Sequence, residues 1–232
     1  MLRKLDRIPV TANLEQVLKR VRVTESDDID IVTSLFAQAC DIANPKALYR
    51  ESYVDGIDGA RVTIDGCEFE SDVVAMNLRE IHRVFAYVCT CGTEVDDWSH
   101  DAAGGDFVVS MWLDMIKEMF VGNAIAYLRD HIKKLYGIRQ LSAINPGSGD
   151  AENWPIQQQA TLFQLIGDVQ PEIGVTLTDT FLMTPVKSTS GLLFPSAREF
   201  QNCALCHREH CVNRGAAFDP ELFEKAFQRA QK

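Results

Sequence analysis

The decapeptide Arg61–Glu70, RVTIDGCEFE, places the tightest constraint on what this chain can fold into. Asp65-Gly66 suits a type I′ turn, in which both central residues take positive φ, and a two-residue loop leaves the flanking strands a single register. That register pairs Ile64 with Cys67 and Val62 with Phe69, so four apolar side chains share one face of a tight hairpin. Upstream, Tyr49–Val54 has strand character and is followed by the turn pairs Asp55-Gly56 and Asp58-Gly59. Downstream, Ser71-Asp72 caps a short helix reaching about Glu80, and Arg83–Cys91 has the β-branched and aromatic content of a buried strand.

Helical periodicity governs the other regions. Asn13–Val23 and Ile29–Ala43 both carry apolar residues at helical spacing; Ser26, Asp27 and Asp28 suit a helix start, and Pro45 marks a stop. The longest periodic segment is Asp106–Tyr136, where Val108, Trp112, Met115 and Met119 head a wide apolar stripe and Gly104-Gly105-Asp106 supplies a break and a cap. Gly122 lies inside it at a cost of about 1 kcal/mol against Ala, which implies close packing against another element or a bend. Beyond Gly137 the pattern collapses into Asn145-Pro-Gly-Ser-Gly-Asp150. Pro155–Ile166 then reads as helix, Val175–Leu182 as strand and Phe218–Gln231 as a closing amphipathic helix. Asp96 and His100, four apart, read as an exposed polar helix face.

A length of 232 residues with 46% apolar content suits one large domain. Net charge is −10, so a phosphate backbone would be repelled and no nucleic-acid partner is expected. No window reaches the roughly 18 unbroken apolar residues of a membrane span, and Met1–Asp6 lacks the apolar core of a signal peptide. A soluble, cytoplasmic protein that does not engage a membrane is the expectation.

In such a reducing setting, clustered thiols read as metal ligands or redox groups before disulfides. Cys203-x2-Cys206-x4-Cys211 brings three of the seven cysteines together across two short turns, a spacing suited to one metal or one cluster. An iron–sulfur cluster is the favoured reading, and zinc with His207 or His210 is the alternative. Uncoordinated thiols are the third. Cys89 and Cys91 fall on one face of their strand, from which Cys91 is the candidate fourth ligand, although two thiols lining a core is the simpler account. Lys187, Arg198, Arg208 and Arg214 would offset thiolate charge. Cys40 and Cys67 read as small core residues.

A second set of residues carries a family resemblance. Leu177-Thr-Asp-Thr-Phe-Leu-Met183-x-Pro185-x-x-Ser188-x-Ser190-Gly191 resembles the L-T-E-S-x-x-M-x-P-x-x-S-V-S-G segment of the activation domain of cobalamin-dependent methionine synthase. The Pro146-Gly147 loop falls where that family has R-x-x-x-G-Y, and order and spacing agree over much of Tyr49 to Phe194. Pro146-Gly147-Ser148-Gly149-Asp150, followed by Gln157-Gln158-Gln159, is most similar to short stand-alone relatives. The resemblance implies an α+β fold, a twisted antiparallel sheet flanked by helices. It divides the chain into an N-terminal helical segment (1–45), an activation-domain-like core (46–200) and a Cys-rich segment with the last helix (201–232). It further implies an S-adenosylmethionine site at Gly147, Ser148, Ser188, Ser190 and Gly191, and a corrinoid held only by a partner, either a corrinoid protein or a corrinoid methyltransferase. The family's arginine falls on Ala143 and its tyrosine on Ser148, which removes a charged donor and an aromatic wall and weakens the case for that cofactor. The expected role is that of an accessory or redox protein assisting reductive activation of a corrinoid protein. The alternative is a zinc-stabilised interaction module without enzymatic activity. A homodimer is compatible with either, and no catalytic base or nucleophile is recognisable.

Overall fold

The computed structural model of the chain describes residues 1–149, 153–197, 200–211 and 214–227, the last three by backbone alone. Its strands are β1 (Leu2–Leu5), β2 (Lys46–Asp58), β3 (Arg61–Ile64), β4 (Cys67–Glu70), β5 (Arg83–Thr90), β6 (Leu141–Ile144), β7 (Thr176–Leu177), β8 (Met183–Thr184) and β9 (Ser188–Pro195). The helices are α1 (Leu14–Val21), α2 (Ser26–Ile42), α3 (Asp72–Leu78), α4 (Thr93–Ala103), α5 (Phe107–Tyr136), α6 (Gln159–Ile166), α7 (Val169–Ile173) and α8 (Pro220–Phe227). One seven-stranded sheet runs β4-β3-β2-β5-β9-β6, with β1 pairing against the first half of β2, and every pairing in it is antiparallel. This is the α+β architecture expected.

The hairpin forms as its turn dictates. Ile64 faces Cys67 and Val62 faces Phe69, with Asp65 at φ 44° and Gly66 at φ 77° in the left-handed region that a type I′ turn needs. Val62, Ile64 and Phe69 are buried, and Cys67 is half-buried.

Both faces of the central strands are covered, so buried residues run consecutively there rather than alternating. On one face Leu48, Val84, Ala86, Val88, Leu192 and Phe194 pack with α3, α6, α7 and Leu205. On the other, Tyr49, Phe85, Tyr87, Cys89 and Leu193 meet Ala124, Leu128 and Ile132 of α5. The 30 residues of α5 extend about 45 Å, long enough to serve two cores. Its first half joins α1, α2 and α4 around Trp112, Ile116 and Phe120, a cluster that also takes in Cys91.

Several expectations need correction. Gly122 is exposed and a Cβ there would meet nothing within 4 Å, so close packing against another element does not explain it. Val175–Leu182 yields only Thr176–Leu177 as strand, because the chain turns back to pair that dipeptide with Met183–Thr184. Two sheet strands, β6 and β9, and the edge strand β1 lacked a recognisable pattern. Part of the expected Phe218–Gln231 helix lies outside the described residues. Among the described residues no helix is long and apolar enough to cross a membrane.

Candidate functional site

The end of β6 and the start of β9 frame a cleft of about 400 Å³. From β6 the chain passes into a type II turn, Asn145-Pro146-Gly147-Ser148, closed by the Ser148 N–H donating to the Asn145 carbonyl at 3.2 Å. Pro146 presets the second position and Gly147, at φ +70°, supplies the positive φ of the third. The Gly147 N–H also donates to the Trp154 carbonyl at 2.8 Å, which fixes the turn against the segment leading to α6.

The opposite wall is tied to this turn by side-chain amides. Asn145 Nδ2 donates to the Tyr87 hydroxyl at 2.7 Å and to the Ser190 carbonyl at 2.6 Å. Gln159, buried at the first turn of α6, accepts from Ser190 Oγ at 3.0 Å and donates to the Phe181 carbonyl at 2.8 Å. Ser188 Oγ donates to Thr90 Oγ1 at 2.9 Å. Burial pushes the Tyr87 phenol up to about 12, so it stays neutral beneath the cleft. Gly191 sits behind the wall, where a Cβ would lie 2.4 Å from the Ile144 carbonyl oxygen and 2.6 Å from Asn145 Nδ2.

Gly147, Ser148, Ser188 and Ser190 therefore line one cleft, and Gly191 allows its two walls to approach. Asn145 and Gln159 were missed; each acts by bonding to residues distant in the chain, for which local sequence carries no signature. Ala143, the position of the family's arginine, packs on the α5 side of the sheet and is not among the cleft's lining residues. The mouth is apolar, with Leu182 and Val186 exposed at 56% and 72%.

The cysteine segment is built differently. Asn202–Leu205 forms a short 3-10 turn whose Leu205 is buried in the sheet's first core. Arg214 then gathers the backbone: its guanidinium donates to the carbonyls of Cys203 at 3.3 Å, Ala216 at 3.2 Å, Cys206 at 3.4 Å and Arg208, and its N–H donates to the Cys211 carbonyl at 3.3 Å. Cys203 Sγ accepts from the Gly215 N–H at 3.4 Å. The His207 ring lies between Phe218 and Phe223, 4.4 Å from each centroid. Cys206 is buried, Cys203 and Cys211 half-buried, and His210 exposed. Arg198 falls outside the described residues.

Among the described residues no three His, Cys, Asp or Glu side chains gather closely enough to hold a metal ion. Cys89 and Cys91 are buried on the helical side, where α5 packs, whereas Leu205 packs on the opposite face; Cys91 is thus separated from Cys203, Cys206 and Cys211 by the sheet. Burial raises the thiols of both Cys89 and Cys91, the latter to about 12.

Asp96 also departs from expectation. It is only 9% exposed and accepts from Lys117 Nζ at 2.8 Å, while Lys117, 5% exposed, also donates to Ser99 Oγ at 2.9 Å. Burial alone would lower the Lys117 ammonium, but the carboxylates of Asp96 and Asp114 raise it above an ordinary lysine. A lysine one position after Ile116 in the apolar stripe of α5 was the available clue, since a buried ammonium requires an anion.

Two of three comparisons place the chain among known proteins. The family profile described as vitamin B12 dependent methionine synthase, activation domain, matches residues 75–213. A search of curated proteins finds no match. Among solved structures the chain is similar to the crystal structure of the MetH reactivation domain bound to AdoHcy, with a TM-score of 0.59 and 16% identity over 87% of this chain and 81% of that one.

Proposed function

Because the chain belongs to the family of the activation domain of vitamin B12 dependent methionine synthase, whose profile spans more than half of it, we propose that it docks on a corrinoid-carrying partner and assists that partner's reductive reactivation. The observation that carries this reading is the cleft between β6 and β9: it lies inside the matched span and opens between two exposed apolar side chains, Leu182 and Val186. Exposed apolar groups around a formed concavity mark an interaction site. In this reading residues 46–200 are the docking body, with 1–45 a helical addition and 201–232 a cysteine-bearing one.

The test is binding to a corrinoid-binding domain of methionine synthase loaded with cob(II)alamin, followed by biolayer interferometry. Saturable docking that weakens about tenfold in Leu182→Asp supports the reading. Absence of docking by the unaltered protein overturns it.

A finer reading gives the cysteine segment an iron–sulfur cluster or, as the alternative, a zinc ion held by Cys203, Cys206 and Cys211. Its support is the ligand spacing, together with the single residue Arg214 that bonds to the carbonyls of all three cysteines. The sulfurs would still have to turn toward one another, and no electron-transfer step is drawn through them. Metal and sulfide analysis of protein prepared without oxygen decides the matter. Stoichiometric iron with sulfide, or stoichiometric zinc, supports one form or the other, and metal-free protein retires both while leaving the docking reading intact.

A further inference from the structure

Two buried amides stand idle where the cysteine segment meets the loop after β6. Among the described residues four buried side-chain polar atoms lack a hydrogen-bond partner, and two of the four are Asn153 Nδ2 and Asn202 Oδ1. Asn153 is 2% exposed and Asn202 8%. Both border the space beside Gly149, which takes φ +83°. A Cβ on Gly149 would lie 3.5 Å from the Asn202 carbonyl oxygen, 3.7 Å from Cys206 Cβ and 3.8 Å from Asn153 Nδ2. Asn202 also anchors the segment to the loop, its Nδ2 donating to the carbonyls of Asn145 and Ser148 at 3.5 Å each. Gly149, Asn153, Asn202 and Cys206 do not line the cleft, whose described lining residues are all uncharged.

A buried N–H without an acceptor costs stability, and a side chain that bears this cost calls for a group to complete it. Cys206 is the side chain that shares the space with Asn153 Nδ2. A neutral thiol is a weak acceptor, whereas a sulfur that carries the negative charge of a metal ligand is a strong one. The neighbouring donors are already committed: the Arg214 guanidinium bonds to the Cys203 and Cys206 carbonyls, and the Gly215 N–H donates to Cys203 Sγ at 3.4 Å. We infer that Asn153 is the outer-shell donor to the Cys206 sulfur when that sulfur ligates a metal, the counterpart of the Gly215 N–H at Cys203. The inference rests on the metal-binding reading of the cysteine segment and names the residue that steadies and tunes one of its ligands. Hydrogen bonds of this kind raise metal affinity by fixing the ligand and easing its charge.

The experiment is anaerobic titration of the intact, reduced protein with cobalt(II), followed by sulfur-to-cobalt charge-transfer absorption, with thermal unfolding recorded before metal is added. The unaltered protein should show a saturable band. Asn153→Leu should weaken cobalt at least about tenfold and move the band to longer wavelength, since a thiolate without its donor gives up charge more readily. Its unfolding midpoint should stay level or rise, because an unpaired buried N–H has been replaced by an apolar group. Asn153→Asp has the same shape without the donor; it serves where the leucine variant does not fold, and should weaken cobalt at least as much. A band that does not move in a folded variant overturns the inference and leaves the metal reading standing. Absence of cobalt binding by the unaltered protein overturns both.

Discussion

The neutral cleft and the cysteine segment are both made from short turns, but they are held by opposite means. In the cleft, the positions of Ser188 and Ser190 follow from the register of β9 between β5 and β6, and side-chain bonds from Asn145, Gln159 and Thr90 only trim a geometry already set by backbone ladders. Among the described residues of the cysteine segment no strand sets the path. One guanidinium joins the carbonyls of residues 203, 206, 208 and 216, and the rings of His207, Phe218 and Phe223 meet at tilted and edge-on angles. Geometry inherited from a sheet tolerates loss of a single contact, whereas geometry collected by one side chain does not.

Three substitutions bear on that difference. The largest effect is expected where the sheet itself is forced apart. Gly191→Ala places a Cβ 2.4 Å from the Ile144 carbonyl oxygen, separates β9 from β6, and should lower unfolding free energy by about 3 kcal/mol in urea titration. A change under 0.5 kcal/mol would mean that the walls of the cleft are not set by sheet register. Arg214→Met comes next. It should raise amide exchange across 203–216 in proportion to about 2 kcal/mol of lost local stability while leaving the global urea midpoint in place. A drop in the global midpoint equal to that of Gly191→Ala would show that the two regions share their support. Smallest is Ser188→Ala, which removes one bond to Thr90 and should cost about 1 kcal/mol with no change in exchange at Ser190. Local opening at Ser190 would contradict the tolerance claimed for the cleft.

What could be read from the amino acids divides along the same line. The hairpin was legible because its turn signal and its alternation lie within ten residues and agree, and α5 because its stripe repeats over eight turns. β6 and β9 were not. Leu141–Ile144 has only four residues and buries Ser142, and Leu192-Leu193-Phe194 is buried on both faces, so neither shows the alternation of a half-covered strand. Their identity as strands lies in their pairing with each other across some fifty residues, which local pattern does not encode. The cleft residues Gly147, Ser148, Ser188 and Ser190 were legible only through family resemblance. The cysteines were legible as a spacing, but spacing leaves the direction of each sulfur free, and the aromatic setting of His207 depends on Phe218 and Phe223 from the next element.

The salt link between α4 and α5 has a consequence for how this sequence can drift over time. Losing Lys117 alone would leave Asp96 buried without its cation and forfeit about 3–5 kcal/mol, a large share of what keeps a domain of ordinary stability folded, whereas losing Asp96 alone leaves Lys117 with Asp114 at 3.3 Å. Exchanging both for apolar side chains of matching size would be close to neutral. Two viable solutions are thus joined by one costly and one milder intermediate, and among descendants the letter at 117 should change only with or after the letter at 96.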